Sequence, residues 1–130
     1  MRALVLVVLL AGCPGSKAEC VTDGDCGSDV CARNGECLPA SDVYPVRVTW
    51  TIRGMPASAT TCAQTPDFFI YFQSANDSFG FAPVPCNQGS FFVDKLPKRY
   101  TEAEIGADGR FDEFMAIDPR AGTAMFDLSP

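Results

Sequence analysis

Seven cysteines and no histidine set what chemistry this chain of 130 residues can do. Without histidine, the commonest general base and the commonest metal ligand are both missing. Serine triads, cysteine–histidine dyads and histidine-ligated zinc are therefore excluded. No Cys-x-x-Cys pair occurs, which removes the usual dithiol redox motif, and no Gly-x-Ser-x-Gly marks a nucleophile elbow. Gly12 to Lys17 lacks the Gly-Lys-Ser/Thr order of a phosphate loop. Ser16 and Lys17 lie in a tether that cannot hold catalytic geometry. An enzyme built here would have carboxylates alone, and no two of them stand out as an acid and a base. The chain is read as non-catalytic, with no metal and no cofactor.

The cysteines instead have the spacing of covalent staples. Cys20, Cys26, Cys31 and Cys37 fall within eighteen residues, separated by five, four and five positions. Asp23-Gly24 and Asn34-Gly35 are turn formers, so this stretch doubles back on itself. So short a segment cannot bury a core, and disulfides must replace one. Four cysteines allow three connectivities, and spacing does not choose among them. Cys62 and Cys86 remain as a further pair downstream, and Cys13 stands apart.

Two other residue classes can make contacts. Asp23, Asp25 and Asp29 alternate like the start of a calcium loop, but the glycine falls at position five and Asn34 stands where the bidentate glutamate belongs. They read as turn formers. Glu102 and Glu104 lie two apart on a strand and share a side, with Asp108, Asp112 and Glu113 nearby; a solvated charged face explains them. Phe69 and Tyr71 alternate with Phe68, Ile70 and Phe72, so one set faces the core and the other faces out. Phe69, Tyr71 and Phe92 form a candidate contact surface for an envelope protein or a glycan. The plainer alternative is that the knot or a loop covers them.

The elements that position these residues are strands. Val46, Val48, Trp50 and Ile52 alternate with polar residues at period two. Further strands are expected over 67–73, 79–86 (an edge, from Pro83 and Pro85), 91–93, 100–105, 111–117 and 123–128. The fold class is all-β: a small disulfide-rich N-terminal knot (20–40), then an antiparallel β-sandwich of about seven strands (43–130). A Cys62–Cys86 bridge would stabilise the sandwich by roughly 3 to 4 kcal/mol.

Residues 1–12 form the export signal. Arg2 gives a positive start, residues 3–11 are apolar, and Gly12 precedes Cys13. The run is about half the length of a spanning helix. Leu10-Ala11-Gly12-Cys13 resembles the lipobox of bacterial lipoproteins. That resemblance implies cleavage before Cys13, acyl chains on Cys13, a tether over 13–19, and anchoring to the cell envelope. Pro14 lacks the aspartate that retains some such proteins at the inner membrane, so the outer membrane is expected. The partner implied is a membrane, through the N-terminal lipid. Losing Arg2 takes the net charge from −6 to −7, which disfavours nucleic acid.

Asp23 to Cys26, Val30-Cys31 and Asn34 to Pro39 resemble a short cysteine-rich knot of bacterial lipoproteins, similar to the N-terminal repeat of Dickkopf-type proteins. The resemblance implies Cys20 paired with Cys31 and Cys26 with Cys37. Val48-Thr49-Trp50, Cys62, Pro85-Cys86 and Leu96-Pro97 before Tyr100 resemble prealbumin-like and carboxypeptidase regulatory-like sandwiches. Lys98 and Arg99 occupy the turn here, and that family's glycine is absent. Such domains are non-catalytic scaffolds. The expected function is a non-catalytic envelope lipoprotein that binds or displays. The alternative is a secreted protease inhibitor or effector presenting Arg33, in Ala32 to Gly35, on a constrained loop.

Overall fold

The computed structural model describes residues 19–130. The expected cut site at Cys13 and the tether up to Ala18 lie outside the described residues. The knot opens with a single 3-10 turn, Asp23–Cys26, followed by the short antiparallel strands β1 (Val30–Cys31) and β2 (Cys37–Leu38). The turn forms because the Asp25 carboxylate accepts the backbone N–H groups of Val21 and Thr22 at 2.9 and 2.8 Å. Disulfides join Cys20 to Cys31 and Cys26 to Cys37. Around them only Cys20, Cys31, Ala32 and Gly35 are buried, so covalent bonds do the work of a core.

Eight strands follow: β3 (Val43–Ile52), β4 (Met55–Pro56), β5 (Asp67–Gln73), β6 (Ser78–Pro85), β7 (Ser90–Pro97), β8 (Glu102–Ala107), β9 (Phe111–Ala116) and β10 (Thr123–Leu128). Seven are full strands and β4 is a two-residue stub. One sheet centres on β3, flanked by β10 on one side and by β4 and β7 on the other; the second runs β6-β5-β8-β9. β6 is an edge, where its prolines need no ladder partner. The period-two pattern sorts as expected. Val46, Val48, Trp50 and Ile52 face Phe68, Ile70, Phe72, Ala103 and Ile105 across a shared core. The Cys62–Cys86 disulfide is buried in that core, and the Trp50 indole N–H donates to the Cys86 carbonyl at 2.7 Å.

One pairing departs from the antiparallel expectation. β10 runs parallel to β3, from Thr123 opposite Arg47 to Leu128 opposite Ile52. Parallel neighbours need a long crossover. Here the intervening strands of the sandwich supply it, and the last strand returns beside the first.

Candidate binding surfaces

The outer face of the second sheet follows from its register, because residues directly opposed in a ladder share a face. One row is Gly80, Tyr71, Glu104 and Phe114; the next contains Phe69, Gly106 and Asp112; a third contains Ser78, Gln73, Glu102 and Ala116. Phe69 and Tyr71 point outward as their spacing requires, with ring centroids 5.4 Å apart. Each lies over a glycine. A Cβ at Gly80 would come within 2.2 Å of the Tyr71 ring, and one at Gly106 within 2.6 Å of the Phe69 ring. The missing side chains are what let the rings lie down on the sheet. Phe69 is thereby half-buried, while Tyr71 keeps 37% and Phe114 50% of its surface exposed. The Gln73 amide donates to Glu104 at 2.6 Å.

Phe92 does not belong to this surface. It sits on β7, opposite Arg47, on the outer face of the first sheet. The two sheets share one core, so their outer faces point in opposite directions. The expected grouping of Phe69, Tyr71 and Phe92 therefore separates into Phe69 with Tyr71, joined by Phe114, and Phe92 alone. Alternation gave the side each residue takes but not which sheet its strand joins. Phe92 is half exposed, with the Arg47 guanidinium 4.9 Å from its ring centroid.

A third set forms a polar clasp between knot and sandwich; Asp23 and Arg33 stand out in the sequence for other roles, but not their joining to the sandwich. Arg33 grips Asp94 with two nitrogens at 2.5 and 2.6 Å, and its backbone N–H donates to the Lys95 carbonyl. Lys95 reaches Asp23 at 2.6 Å. Arg99 is the hub. It holds the Glu36 carboxylate at 2.6 and 2.9 Å, meets Asp77 at 2.9 Å, and stacks 4.7 Å from the Tyr100 ring centroid. Asp77 also accepts from the Tyr100 hydroxyl at 2.7 Å and from Ser74. These bonds hold the carboxylates below their ordinary range: Arg99 acts first on Glu36 and on Asp77, Arg33 on Asp94, and Lys95 on Asp23. Arg99 is raised in return, chiefly by Asp77. Burial and then Asp77 raise the Tyr100 phenol. The one hint in the sequence was the Lys98-Arg99 pair standing in place of a family glycine.

No family model, curated protein or solved structure matches this chain. Its function is therefore argued from the residues themselves.

The remaining expected site residues are placed as follows. Asp23 and Asp25 bind within the chain: Asp23 accepts the Cys31 N–H at 2.8 Å as well as Lys95, and Asp25 caps the first turn. Among the described residues, the grouping with metal-ligand spacing is Cys20, Cys26 and Cys37, whose sulfurs are all in disulfides. Oxidised sulfur is not the thiolate a metal binds. Arg33 would have to leave Asp94 before its guanidinium met a protease carboxylate. Its loop is constrained, but its charge is already used.

Proposed function

We propose that this chain is an exported, lipid-anchored protein of the bacterial cell envelope whose sandwich serves as a non-catalytic binding or display module. The observation that carries the reading is the clasp. A knot stapled by two disulfides follows directly on the expected tether and is fastened to the sandwich by ion pairs from Asp23, Arg33 and Glu36. Such a joint makes knot and sandwich move as one piece on the expected tether, so that the knot stays between the anchor and the sandwich. Disulfides persist in oxidising compartments, which agrees with export. Acyl chains on Cys13 would hold it: one chain anchors marginally, and two or more hold firmly. The outer membrane is the proposed site.

The test is the intact mass of the protein extracted in detergent from the cells that make it, with and without reduction and thiol alkylation. Expected are a start at Cys13, an acyl-sized excess, and six thiols that appear only on reduction. An unlipidated chain that keeps residues 1–12, or thiols free before reduction, would overturn the reading.

A further inference from the structure

We propose that the outer face of the second sheet is the docking surface for an extended, positively charged segment of another envelope protein. The proposal deepens the display reading above and rests on it for the partner's location. The face carries two kinds of group in alternation. Tyr71, Glu104 and Phe114 succeed one another across three strands, and Phe69 and Asp112 flank Gly106 in the next row. Aromatic rings and carboxylates thus stand side by side at the spacing of a sheet. A lysine or arginine suits that pattern, because its methylene stem packs on a ring while its head meets the neighbouring carboxylate.

The charge balance of the sheet selects the partner. Strands β5, β6, β8 and β9 contain no lysine or arginine, yet Glu102, Glu104 and Asp112 stand on the side of Phe69 and Tyr71, with Asp67 at the start of β5; Glu113, opposite the buried Ile105, lies on the other side. The ion pairs among the described residues use none of these carboxylates. Arg110, in the turn between β8 and β9, borders the face beside Phe69, Glu104 and Asp112, and its guanidinium donates to the Gln64 carbonyl at 2.6 Å and the Thr65 hydroxyl at 2.9 Å. Three carboxylates against one guanidinium leave the face with net negative potential, and among the described residues no base is ion-paired to Glu102, Glu104 or Asp112. Such a field repels phosphate-bearing and acidic glycans and attracts a basic chain. A neutral glycan would stack on the rings and donate hydroxyls to the carboxylates, but it brings no charge to answer the field, which a basic chain does.

The clasp also aims the face. It grips the sheet at the β5–β6 hairpin, through Asp77, and at Arg99. Phe69 lies four residues back along β5 from Gln73, about 13 Å toward the opposite end. With the knot at the membrane side, the Phe69 and Asp112 end points outward.

The proposal is tested with the full mature protein in detergent micelles, titrated with an alternating Lys-Thr peptide, its Glu-Thr counterpart and a neutral chitooligosaccharide. Amide chemical-shift mapping locates the contact. The Lys-Thr peptide is expected to shift Phe69, Tyr71, Glu104 and Phe114, and to weaken by about tenfold or more in 0.5 M salt. The variant Glu104→Lys/Asp112→Lys should lose about tenfold in affinity or more, a change worth about 1.4 kcal/mol. Glu19→Lys/Asp42→Lys, with the same change in net charge away from the face, should not. Tyr71→Ser/Phe114→Ser keeps the acids and should also weaken binding. Circular dichroism confirms that each variant is folded. Equal binding to wild type and the Glu104→Lys/Asp112→Lys variant overturns the proposal, as does the absence of peptide binding. So does a shift of the same amides by the oligosaccharide alone. A lipidated protein without peptide binding sinks this inference and leaves the display reading standing. Peptide binding by a protein that proves unlipidated does the reverse.

Discussion

At the knot end of the sandwich, Asp23, Glu36, Asp77 and Asp94 each hold a lysine or arginine within 2.9 Å; along the outer face of the second sheet, Glu102, Glu104 and Asp112 have no such ion pair among the described residues. The two regions carry the same residue types and use them differently. At the clasp, charge is spent inside the molecule to hold a module that has no core of its own. On the sheet face, charge is left without an ion pair among the described residues, and the Gln73 amide on Glu104 is a hydrogen bond that a neutral acceptor could also take. The difference shows why a count of acidic residues says little about function, whereas the placement of their partners says a great deal.

The comparison breaks most severely if the knot's staples are removed. Cys20→Ser/Cys31→Ser should cost about 3 kcal/mol of knot stability in the chain-entropy model. Since the knot buries almost nothing else, amide exchange should show residues 20–38 opening while β3, β5 and β8 stay protected. Simultaneous loss of protection in the sandwich would mean that the clasp supports the core as well as the knot. Gly106→Ala tests the sheet face next. Its Cβ would meet the Phe111 carbonyl at 2.5 Å and the Phe69 ring at 2.6 Å, and the carbonyl cannot swing away. A cost of about 1 to 3 kcal/mol in denaturant unfolding is expected. A neutral result would show that the sheet yields there.

Arg99→Met removes the hub of the clasp. Its side chain and those of Glu36 and Asp77 are each more than a third exposed, so solvent screens the pairs and the expected loss is about 1 kcal/mol. The pH dependence is more diagnostic. Glu36, Asp77 and Asp94 have folded pKa values below their unfolded ones. Their contribution is complete at neutral pH. It begins to fall as pH drops below about 5, through the unfolded carboxylate range, and is gone only below the folded values. Arg99→Met should flatten the acid limb of the stability curve between about pH 5 and pH 2. An unchanged acid limb would mean that other carboxylates govern acid unfolding.

Much of the sandwich was legible because alternation is local. Val46 to Ile52 and Phe68 to Phe72 declare their inner and outer sides within a few residues, and Pro83 and Pro85 mark β6 as an edge. What was hidden depends on distant partners. The parallel β3–β10 pair joins the first and last strands of the sandwich, and no local pattern encodes strand direction. Phe92 reads as outward from its own strand, but only the pairing of β7 with β3 assigns it to the other sheet. Arg99 lies 63 positions from Glu36 and 22 from Asp77, so nothing near it in the chain announces its role. Phe114 escaped notice because Glu113 and Met115 break a clean alternation around it.

The smallest effect separates the two regions most sharply. Glu104→Gln replaces a charge that has no ion pair among the described residues and keeps an acceptor for the Gln73 amide. Its stability change should stay within about 0.5 kcal/mol, as for surface positions away from special features. The sign should be positive, since one like charge leaves the neighbourhood of Glu102 and Asp112. Added salt screens both regions but acts on them in opposite directions. It weakens the attractions of the clasp and relieves the repulsion on the face. In Arg99→Met the first effect is diminished, so salt should stabilise that variant more than wild type. In Glu104→Gln the second is diminished, so salt should stabilise it less. Denaturant midpoints at low and high sodium chloride read both shifts. If the two variants respond to salt alike, the division between paired and unpaired charge does not govern the electrostatics of this fold.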